Sequence, residues 1–203
     1  MTAEGEVPAG VASAVLAIES WCTQGARVVA IDGYGASGKT TCAGLLARRL
    51  GASVVHTDDF FQQPSAISLG SENQSFELSS YYDWRRLRDE ALEPLRDGRS
   101  VSYRSYDWER RALSEDRLEL SPSRVVLLEG VLSAAPQLAD MVDRAIFIST
   151  PESERMRRLR ARVAPQDWDE QWLRAERAYF GLVRPPSSFD LVLSGAGTSL
   201  AQR

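Results

Sequence analysis

Eight consecutive residues, from Gly33 to Thr40, carry the most specific chemical signal in the chain. They read GYGASGKT and match the pattern G-x-x-x-x-G-K-[ST] at every fixed position. Glycines let a backbone fold so that several N–H groups point inward at a polyphosphate, and the dipole of a following helix adds positive potential there. In such a loop Lys39 would reach the outer phosphates and the Thr40 hydroxyl would ligate Mg²⁺. The pattern predicts a nucleotide-binding loop, and the alternative is a glycine-rich turn without a ligand.

The elements on either side of this loop come in the order that nucleotide binding requires. Residues 27–32 are short, β-branched and bounded by glycine, which is typical of a buried strand. Residues 41–50 have a helical pattern that Gly51 ends. The residues predicted to bind the nucleotide are Gly33, Gly35, Ala36, Ser37, Gly38, Lys39, Thr40 and Thr41.

Carboxylates follow two further predicted strands. Asp58 and Asp59 come after a strand at 53–56, and Glu129 lies near the end of the apolar run 124–130. Because ligands of parallel sheets lie beyond the carboxyl ends of the strands, Glu129 and Asp58 are candidate ligands of Mg²⁺ beside Thr40. Asp58 is also a candidate general base that accepts the proton of an attacking hydroxyl. The alternative for Asp58 is a helix cap or a turn.

The rest of the chain alternates predicted helices with predicted strands. Apolar spacing predicts helices at 9–22, from Tyr81 to about Asp97 and from about 151, and further strands at 144–149 and 189–193. The first helix is expected to pack against the sheet edge. A β-hairpin is expected as a rim insertion at 99–121, and a loop over the site from Gln62 to Ser80. We expect a three-layer α/β/α sandwich with a five-stranded parallel sheet, as one domain at 9–203 after a disordered lead at 1–8.

Length, composition and charge limit the classes of protein to which this chain can belong. The chain has 203 residues, 43% of them hydrophobic, which suits one globular domain. The formal net charge of −4 argues against a general nucleic-acid surface. No apolar run approaches the roughly 20 residues that cross a bilayer, and the start lacks the basic segment of a secretory signal. We expect a cytoplasmic protein without nucleic-acid or membrane partners, and a homo-oligomer stays open.

Further short motifs follow the phosphate loop in a fixed order. They are Asp58-Asp59-Phe60-Phe61, Tyr82-Asp83, Tyr106-Asp107-Trp108, Leu128-Glu129-Gly130, the run from Glu154 to Arg162 and the ending from Phe189 to Gly195. With this ordered set the chain resembles the uridine kinase and phosphoribulokinase family of phosphate-loop kinases, which includes nicotinamide riboside kinase. The resemblance implies the nucleoside kinase-like fold of phosphate-loop nucleoside triphosphate hydrolases. It also implies ATP, or GTP, and Mg²⁺ as cofactors.

The resemblance implies a role for each matching residue. Asp58 would be the catalytic base, Glu129 would serve Mg²⁺, and Asp83 would hydrogen-bond the ribose hydroxyls of a nucleoside-like acceptor. Tyr82 and Tyr106 would lie near the ring of the acceptor, since aromatic faces favour planar ligands. Simple packing in the core or at the rim explains each tyrosine equally well.

The run from Glu154 to Arg162 holds five arginines. Phosphoryl transfer spreads negative charge over the γ-phosphate oxygens, and guanidinium groups on a closing lid, placed at 154–170, would stabilise it. By the family's spacing, Arg158 and Arg162 are the catalytic arginines that are expected to face the phosphates and the acceptor. The three others, Arg155, Arg157 and Arg160, are expected to be solvated or structural. A nucleic-acid patch and a solvated helix face are the alternatives.

One segment departs from the family pattern. Uridine kinases supply a histidine to the pyrimidine after the Tyr-Asp pair, whereas here Trp108 to Arg111 follow Tyr106-Asp107. Arg111 is therefore a further candidate for the acceptor site, and His56, the only histidine, is assigned a structural role. Because a site that hydrogen-bonds one base rejects others, this departure leaves the acceptor open.

The sequence thus predicts a kinase that moves the γ-phosphate of ATP or GTP to a hydroxyl of a small molecule. Lys39 and the loop amides would hold the phosphates, and a nucleoside such as uridine or cytidine is the first acceptor to consider. Nicotinamide riboside, pantothenate and a sugar are alternative acceptors. The alternative class is a phosphate-loop ATPase switch that has no metabolite acceptor.

Overall fold

A computed structural model describes residues 9–62, 78–162 and 170–195. The predicted lead at 1–8, most of the loop from Gln62 to Ser80 and the later part of the predicted lid, 163–169, lie outside the described residues. The strands are β1 (Val28–Asp32), β2 (Ser53–His56), β3 (Val101–Tyr103), β4 (Tyr106–Asp107), β5 (Ala112–Leu113), β6 (Leu118–Leu120), β7 (Val126–Glu129), β8 (Arg144–Ser149) and β9 (Leu191–Ser194). The α-helices are α1 (Ala9–Thr23), α2 (Lys39–Leu50), α3 (Trp84–Arg86), α4 (Glu93–Arg96), α5 (Glu152–Arg162) and α6 (Glu170–Ala178).

The central sheet has five parallel strands in the order β2-β7-β1-β8-β9. Every residue of β1 and β7 is buried. Strands of a parallel sheet that is covered on both faces are apolar along their whole length, which explains the unbroken apolar runs in the sequence. The predicted sandwich with a five-stranded parallel sheet is confirmed.

The last strand begins at Leu191, two residues later than the predicted start at Phe189. The Phe189 ring instead turns inward, and its centroid lies 5.2 Å from that of Phe147. The next residue, Asp190, ties the chain to the start of β8, because its carboxylate accepts a hydrogen bond of 2.8 Å from the Ala145 N–H. Parallel pairing therefore starts only after these two anchoring residues.

The two faces of the sheet are covered by different parts of the chain. On one face α1 and α2 enclose a core that includes Ile18, Leu46 and Leu127. The prediction that α1 packs at the sheet edge describes only part of its contacts, since it packs on the edge strand β9 and also over the face. On the other face lie α3, α4 and the segment after β7. Within the described ranges no helix is both long and apolar enough to cross a membrane.

The helix predicted from Tyr81 begins only at Trp84, because Asp83 caps its first turn, and its middle is wider than an α-helix. Between α3 and α4, residues Leu87–Leu92 are π-helical, and the helix ends before Asp97 and Gly98. The cause lies in Pro94, whose ring would clash with the carbonyl oxygen of Glu90, four residues earlier, in a regular helix. Widening the turn moves that carbonyl aside.

The predicted rim insertion at 99–121 is a hairpin built from two short antiparallel pairs. The strand β3 pairs with β6, and β4 pairs with β5. The turn between β4 and β5 contains Arg111, which has a positive φ of 51°. The hairpin carries Tyr103 and Tyr106 inward, both buried, and leaves Trp108 at 56% exposure.

One buried carboxylate joins three parts of this fold. Asp32, the last residue of β1, is fully buried, and its Oδ1 accepts hydrogen bonds from the N–H groups of Gly33 at 2.8 Å and Leu132 at 3.0 Å. Its Oδ2 accepts from the Ala134 N–H at 3.0 Å and from the Tyr179 hydroxyl at 3.3 Å. Burial raises the pKa of Asp32 to about 6, although these hydrogen bonds and the charge of a nearby lysine favour the ionised form.

Replacing Asp32 with alanine is expected to lower the free energy of unfolding by about 3 kcal/mol, because buried N–H groups would lose their acceptor. Urea unfolding followed by circular dichroism measures this change. The matched control is Asp97→Ala, which removes an exposed carboxylate and should change stability by less than about 0.5 kcal/mol. Equal losses in the two variants would contradict the anchoring role of Asp32.

Candidate active site

The loop at 33–40 connects β1 to α2 at the carboxyl edge of the sheet. Gly33 has a φ of 147°, and a Cβ placed on it would lie 2.8 Å from the Ile148 carbonyl oxygen, so only glycine fits. Gly38 has a φ of 98° and is the residue from which α2 starts. The strand, loop and helix therefore occur in the predicted order, with the loop backbone at the helix N-terminus where anions bind.

The first two residues of α2 are those with predicted phosphate and metal roles. The Lys39 side chain is folded back over the loop, and its Nζ donates a hydrogen bond of 3.0 Å to the Tyr34 carbonyl oxygen. The Thr40 hydroxyl donates to Glu129 Oε1 at 3.0 Å. The structure thus brings together Thr40 and Glu129, which lie 89 positions apart in the sequence.

Glu129 ends β7 with its side chain almost fully buried. Burial alone would raise its pKa, but hydrogen bonds from His56 and Thr40 and the charge of Lys39 outweigh burial, so the pKa lies below its ordinary value. The carboxylate is therefore ionised at neutral pH. A hydroxyl oxygen next to an ionised carboxylate provides the kind of oxygen ligands that Mg²⁺ prefers.

His56 is the neighbour of Glu129 in the parallel sheet, and its Nδ1 lies 2.6 Å from Glu129 Oε2. This hydrogen bond raises the pKa of His56. The sequence suggested only a structural role for this histidine, whereas it touches the predicted metal ligand. The contact between His56 and Glu129 could be predicted from the sequence only if the pairing register of β2 and β7 were known.

Asp58 and Asp59 lie in a 3₁₀ turn, Thr57–Phe60, directly after β2, and point to different partners. The Asp59 carboxylate accepts a hydrogen bond from the Tyr103 hydroxyl at 3.0 Å, which ties it to the hairpin. Asp58 is open to solvent on one side and accepts from the Tyr82 hydroxyl at 3.3 Å. Desolvation by the surrounding protein and the charge of Glu129 raise the pKa of Asp58. Of these two carboxylates, Asp58 is the one that a ligand can reach to transfer a proton.

No group of three or more His, Cys, Asp or Glu side chains that could hold a metal ion occurs in the part of the chain described. Sites for Mg²⁺ beside phosphates use only one or two protein ligands, the remainder being phosphate oxygens and water. Thr40 and Glu129 fit that kind of site, and Asp58 lies close enough for its pKa to respond to the charge of Glu129.

The structure shows where the other residues predicted to bind the acceptor lie. Asp83 is the N-cap of α3, and its Oδ1 accepts a hydrogen bond from the Arg86 N–H at 3.0 Å. Tyr82 is buried, and its hydroxyl contacts Asp58. Arg111 is exposed in the hairpin turn. Asp83 therefore has a capping function in this structure, whatever else it binds.

Aromatic rings line the side of the site next to Asp58. This aromatic cluster consists of Phe61, Tyr81, Tyr82, Tyr106, Trp108 and Trp172. Phe61 is central, with ring centroids 4.4 Å from Trp108 and 5.0 Å from Tyr106. Because Trp108 is largely exposed, part of the cluster is open to a ligand.

Two arginines of α5, Arg155 and Arg158, contact the loop at 33–40. Arg158 donates to the carbonyl oxygens of Ala36 and Ser37, both at 3.4 Å, and of Gly195 at 3.0 Å. Its Nε donates to Glu154 Oε1 at 2.8 Å, so the guanidinium is bound by the loop, by Gly195 and by a neighbouring carboxylate. Arg162 is the last residue of α5, and its side chain lies outside the described residues.

Arg155, one of the three arginines expected to be solvated or structural, packs against the loop. Its side chain is buried with the guanidinium carbon 4.3 Å from the centroid of the Tyr34 ring, and Nη1 donates to the Gly35 carbonyl oxygen at 3.4 Å. Arg157, two residues later, is exposed and pairs with Glu154.

Glu176, on α6, is a site residue that the sequence analysis did not identify. Its Oε1 accepts hydrogen bonds from the Gly35 N–H at 3.0 Å and from Trp172 Nε1 at 2.8 Å. Burial raises the pKa of Glu176, while the charge of Lys39 favours the ionised form. The contact joins residues 141 positions apart, so no local pattern reveals it.

Comparisons with known proteins agree with the fold and with the resemblance. The chain is 28% identical over 134 residues to a uridine kinase of Halobacterium salinarum, covering 64% of this chain. It is 30% identical over 137 residues to a uridine kinase of Shewanella piezotolerans, covering 61% of this chain. The matched segments span only 59% and 62% of these relatives. No family model matches.

A possible uridine kinase from Bacillus stearothermophilus is a structural neighbour. It superimposes with a TM-score of 0.67 at 22% identity, covering 91% of this chain and 97% of that one. At this identity the likeness establishes the fold alone. The resemblance to uridine kinases that the sequence motifs predicted is confirmed by the relatives.

Replacing Arg155 with alanine is expected to lower the free energy of unfolding by about 2 kcal/mol, because the variant loses a cation–π contact and a buried hydrogen bond. Arg157→Ala removes the same charge from the same helix at an exposed position and should cost less than about 0.5 kcal/mol. Thermal and urea unfolding measure both. If Arg157→Ala proves as costly as Arg155→Ala, the contact of Arg155 with the loop is not what stabilises it.

Proposed function

We propose that this chain is a Mg²⁺-dependent kinase that transfers the γ-phosphate of ATP to a hydroxyl group of a small molecule, with a nucleoside as the first acceptor. The observation that carries the proposal is the convergence of three parts at one sheet edge: the phosphate loop, the contact between Thr40 and Glu129, and the open carboxylate of Asp58. The relatives named uridine kinase support the same chemistry.

In this reaction the chain would act mainly by positioning and by charge. The loop N–H groups and Lys39 would bind the phosphates at the N-terminus of α2. Mg²⁺, when bound by Thr40 and Glu129, would neutralise phosphate charge. Asp58 would hold the acceptor hydroxyl and take its proton, and its raised pKa makes it a stronger base than an ordinary aspartate. No covalent intermediate with the protein is required.

The site is proposed to lie in a single domain at 9–203. The rim insertion at 99–121 would supply the acceptor side, and the lid at 154–170 would bring Arg158 and Arg162 toward the phosphates. For Arg158 to do so, its guanidinium must leave the loop carbonyl oxygens that it contacts.

The aromatic cluster supports an acceptor with a planar ring. The exposed ring of Trp108 next to Phe61 offers a face on which a base or a pyridine ring can stack. Stacking does not distinguish among planar rings as hydrogen bonds do. Uridine, cytidine and nicotinamide riboside are therefore the acceptors to test first, with pantothenate and sugars in the same panel.

Asp58→Asn should lower the rate of acceptor phosphorylation about a thousandfold, because the amide cannot accept the proton. Affinity for nucleotide should stay within about twofold. Transfer of label from γ-labelled ATP to the panel of acceptors measures the rate, and calorimetry measures the affinity. Asp59→Asn is the matched control, since its carboxylate is bound to Tyr103 and lies outside the proposed chemistry. Unchanged transfer by Asp58→Asn, or no transfer by the wild type to any acceptor, would refute the proposal.

Trp108→Ala should raise the KM for a ring-bearing acceptor about three- to tenfold, the loss expected for one stacking contact, and leave kcat unchanged. Leu118→Ala is the control, because Leu118 is exposed on the same hairpin. An equal KM in wild type and Trp108→Ala would remove the tryptophan from the acceptor site. Steady-state kinetics with the best acceptor of the panel gives both constants.

A further inference from the structure

The phosphate loop already holds an anion that belongs to the chain. Glu176 Oε1 lies 3.0 Å from the Gly35 nitrogen, so one of the backbone donors predicted to bind phosphate is occupied by a carboxylate. The approach is close: a Cβ on Gly35 would lie 3.2 Å from this oxygen. A glycine at position 35 therefore serves to admit the Glu176 side chain as well as to shape the loop.

The carboxylate is held from several sides but not fully satisfied. Trp172 Nε1 donates to the same Oε1 at 2.8 Å, while Oε2 is buried and has no hydrogen-bond partner among residues 9–62, 78–162 and 170–195. The whole side chain is 1% exposed. A buried oxygen without a partner is unfavourable, and burial raises the pKa of Glu176, while the charges of Lys39 and Arg155 favour its ionised form.

That positive environment is the one that would attract a polyphosphate. Lys39 stabilises the ionised form of Glu176, and the N-terminus of α2 adds positive potential at the loop. A phosphate group at the Gly35 N–H and the carboxylate of Glu176 would compete for the same donor and repel each other. The two anions cannot both occupy the loop in the geometry seen here.

The helix that carries Glu176 packs directly on the loop. The rings of Tyr34, in the loop, and Phe180 have centroids 4.5 Å apart. After α6 the helix continues as a π-helical turn, Tyr179–Val183, which contains Gly181. π-helical turns occur frequently at functional sites. Glu176 thus lies on a helix that ends in such a wide turn beside the loop.

We propose that Glu176 is an internal competitor of nucleotide: it occupies the phosphate loop before nucleotide arrives, is displaced by the phosphates, and so sets the affinity of the loop. The inference rests on the proposed function in one respect, since it requires that the loop bind nucleotide. It is independent of which acceptor is phosphorylated.

The test compares nucleotide affinity in Glu176→Gln and in wild type by calorimetry, with MgADP and with inorganic triphosphate as probes. Glutamine keeps the shape and an acceptor for the Gly35 N–H but removes the charge, so both probes should bind about tenfold more tightly. Adenosine, which has no phosphate, should bind equally to both proteins. Glu170→Gln removes an exposed charge from the same helix and should leave all affinities unchanged.

A second variant tests the same idea without altering Glu176. Trp172→Phe removes the indole N–H that holds Oε1, so it should tighten binding of MgADP and triphosphate by a smaller factor. Unchanged or weaker binding of both probes by Glu176→Gln would overturn the inference, as would a gain for adenosine or an equal gain in Glu170→Gln. If wild type and all variants bind no MgADP, the proposed function fails and the inference fails with it.

Discussion

The candidate site depends on the buried carboxylate of Asp32. This group ends the central strand and accepts hydrogen bonds from the start of the phosphate loop, from the segment after β7 and from the turn after α6. Taking a carboxylate out of water is costly, and it is tolerated here because every hydrogen bond that it accepts comes from a backbone or hydroxyl donor with a fixed position. The loop that would bind phosphate, the strand end that would hold metal and the helix that covers the loop are thereby fixed to one carboxylate.

Near this carboxylate, the charge of Lys39 acts on Glu129, Asp58 and Glu176, yet the pKa values of these three acids shift in different directions. Hydrogen bonds from His56 and Thr40 and the charge of Lys39 lower the pKa of Glu129, whereas burial dominates at Asp58 and Glu176 and raises their pKa values. The ionisation of each acid therefore depends on the balance between its burial and the charges and hydrogen bonds around it. A metal ligand must stay charged and a base must accept a proton, and the environments of Glu129 and Asp58 differ in that sense.

Much of the fold could be predicted from the sequence because its signals are local. The apolar runs of the strands, the glycines of the loop and the spacing of the helices each occupy a short window. The π-helical turn before Pro94 was not predicted, since its apolar spacing still resembles that of an α-helix. Within the site, the rule that ligands gather at strand ends predicted that Thr40 and Glu129 lie together, and the two side chains are in contact. Their role as metal ligands stays a prediction. Glu176 and His56 were not recognised, because their contacts depend on packing between distant segments.

The hydrogen bond between His56 and Glu129 constrains the chain in a further way. The two residues are neighbours because β2 and β7 pair in one register. A shift of one residue would turn every side chain of β2 to the opposite face and bring Val55 or Thr57 beside the carboxylate. A single-residue insertion or deletion in this short strand would therefore disturb the site more than most substitutions in it. In descendants of this chain, the length of the segment from the loop to His56 should change more slowly than its composition.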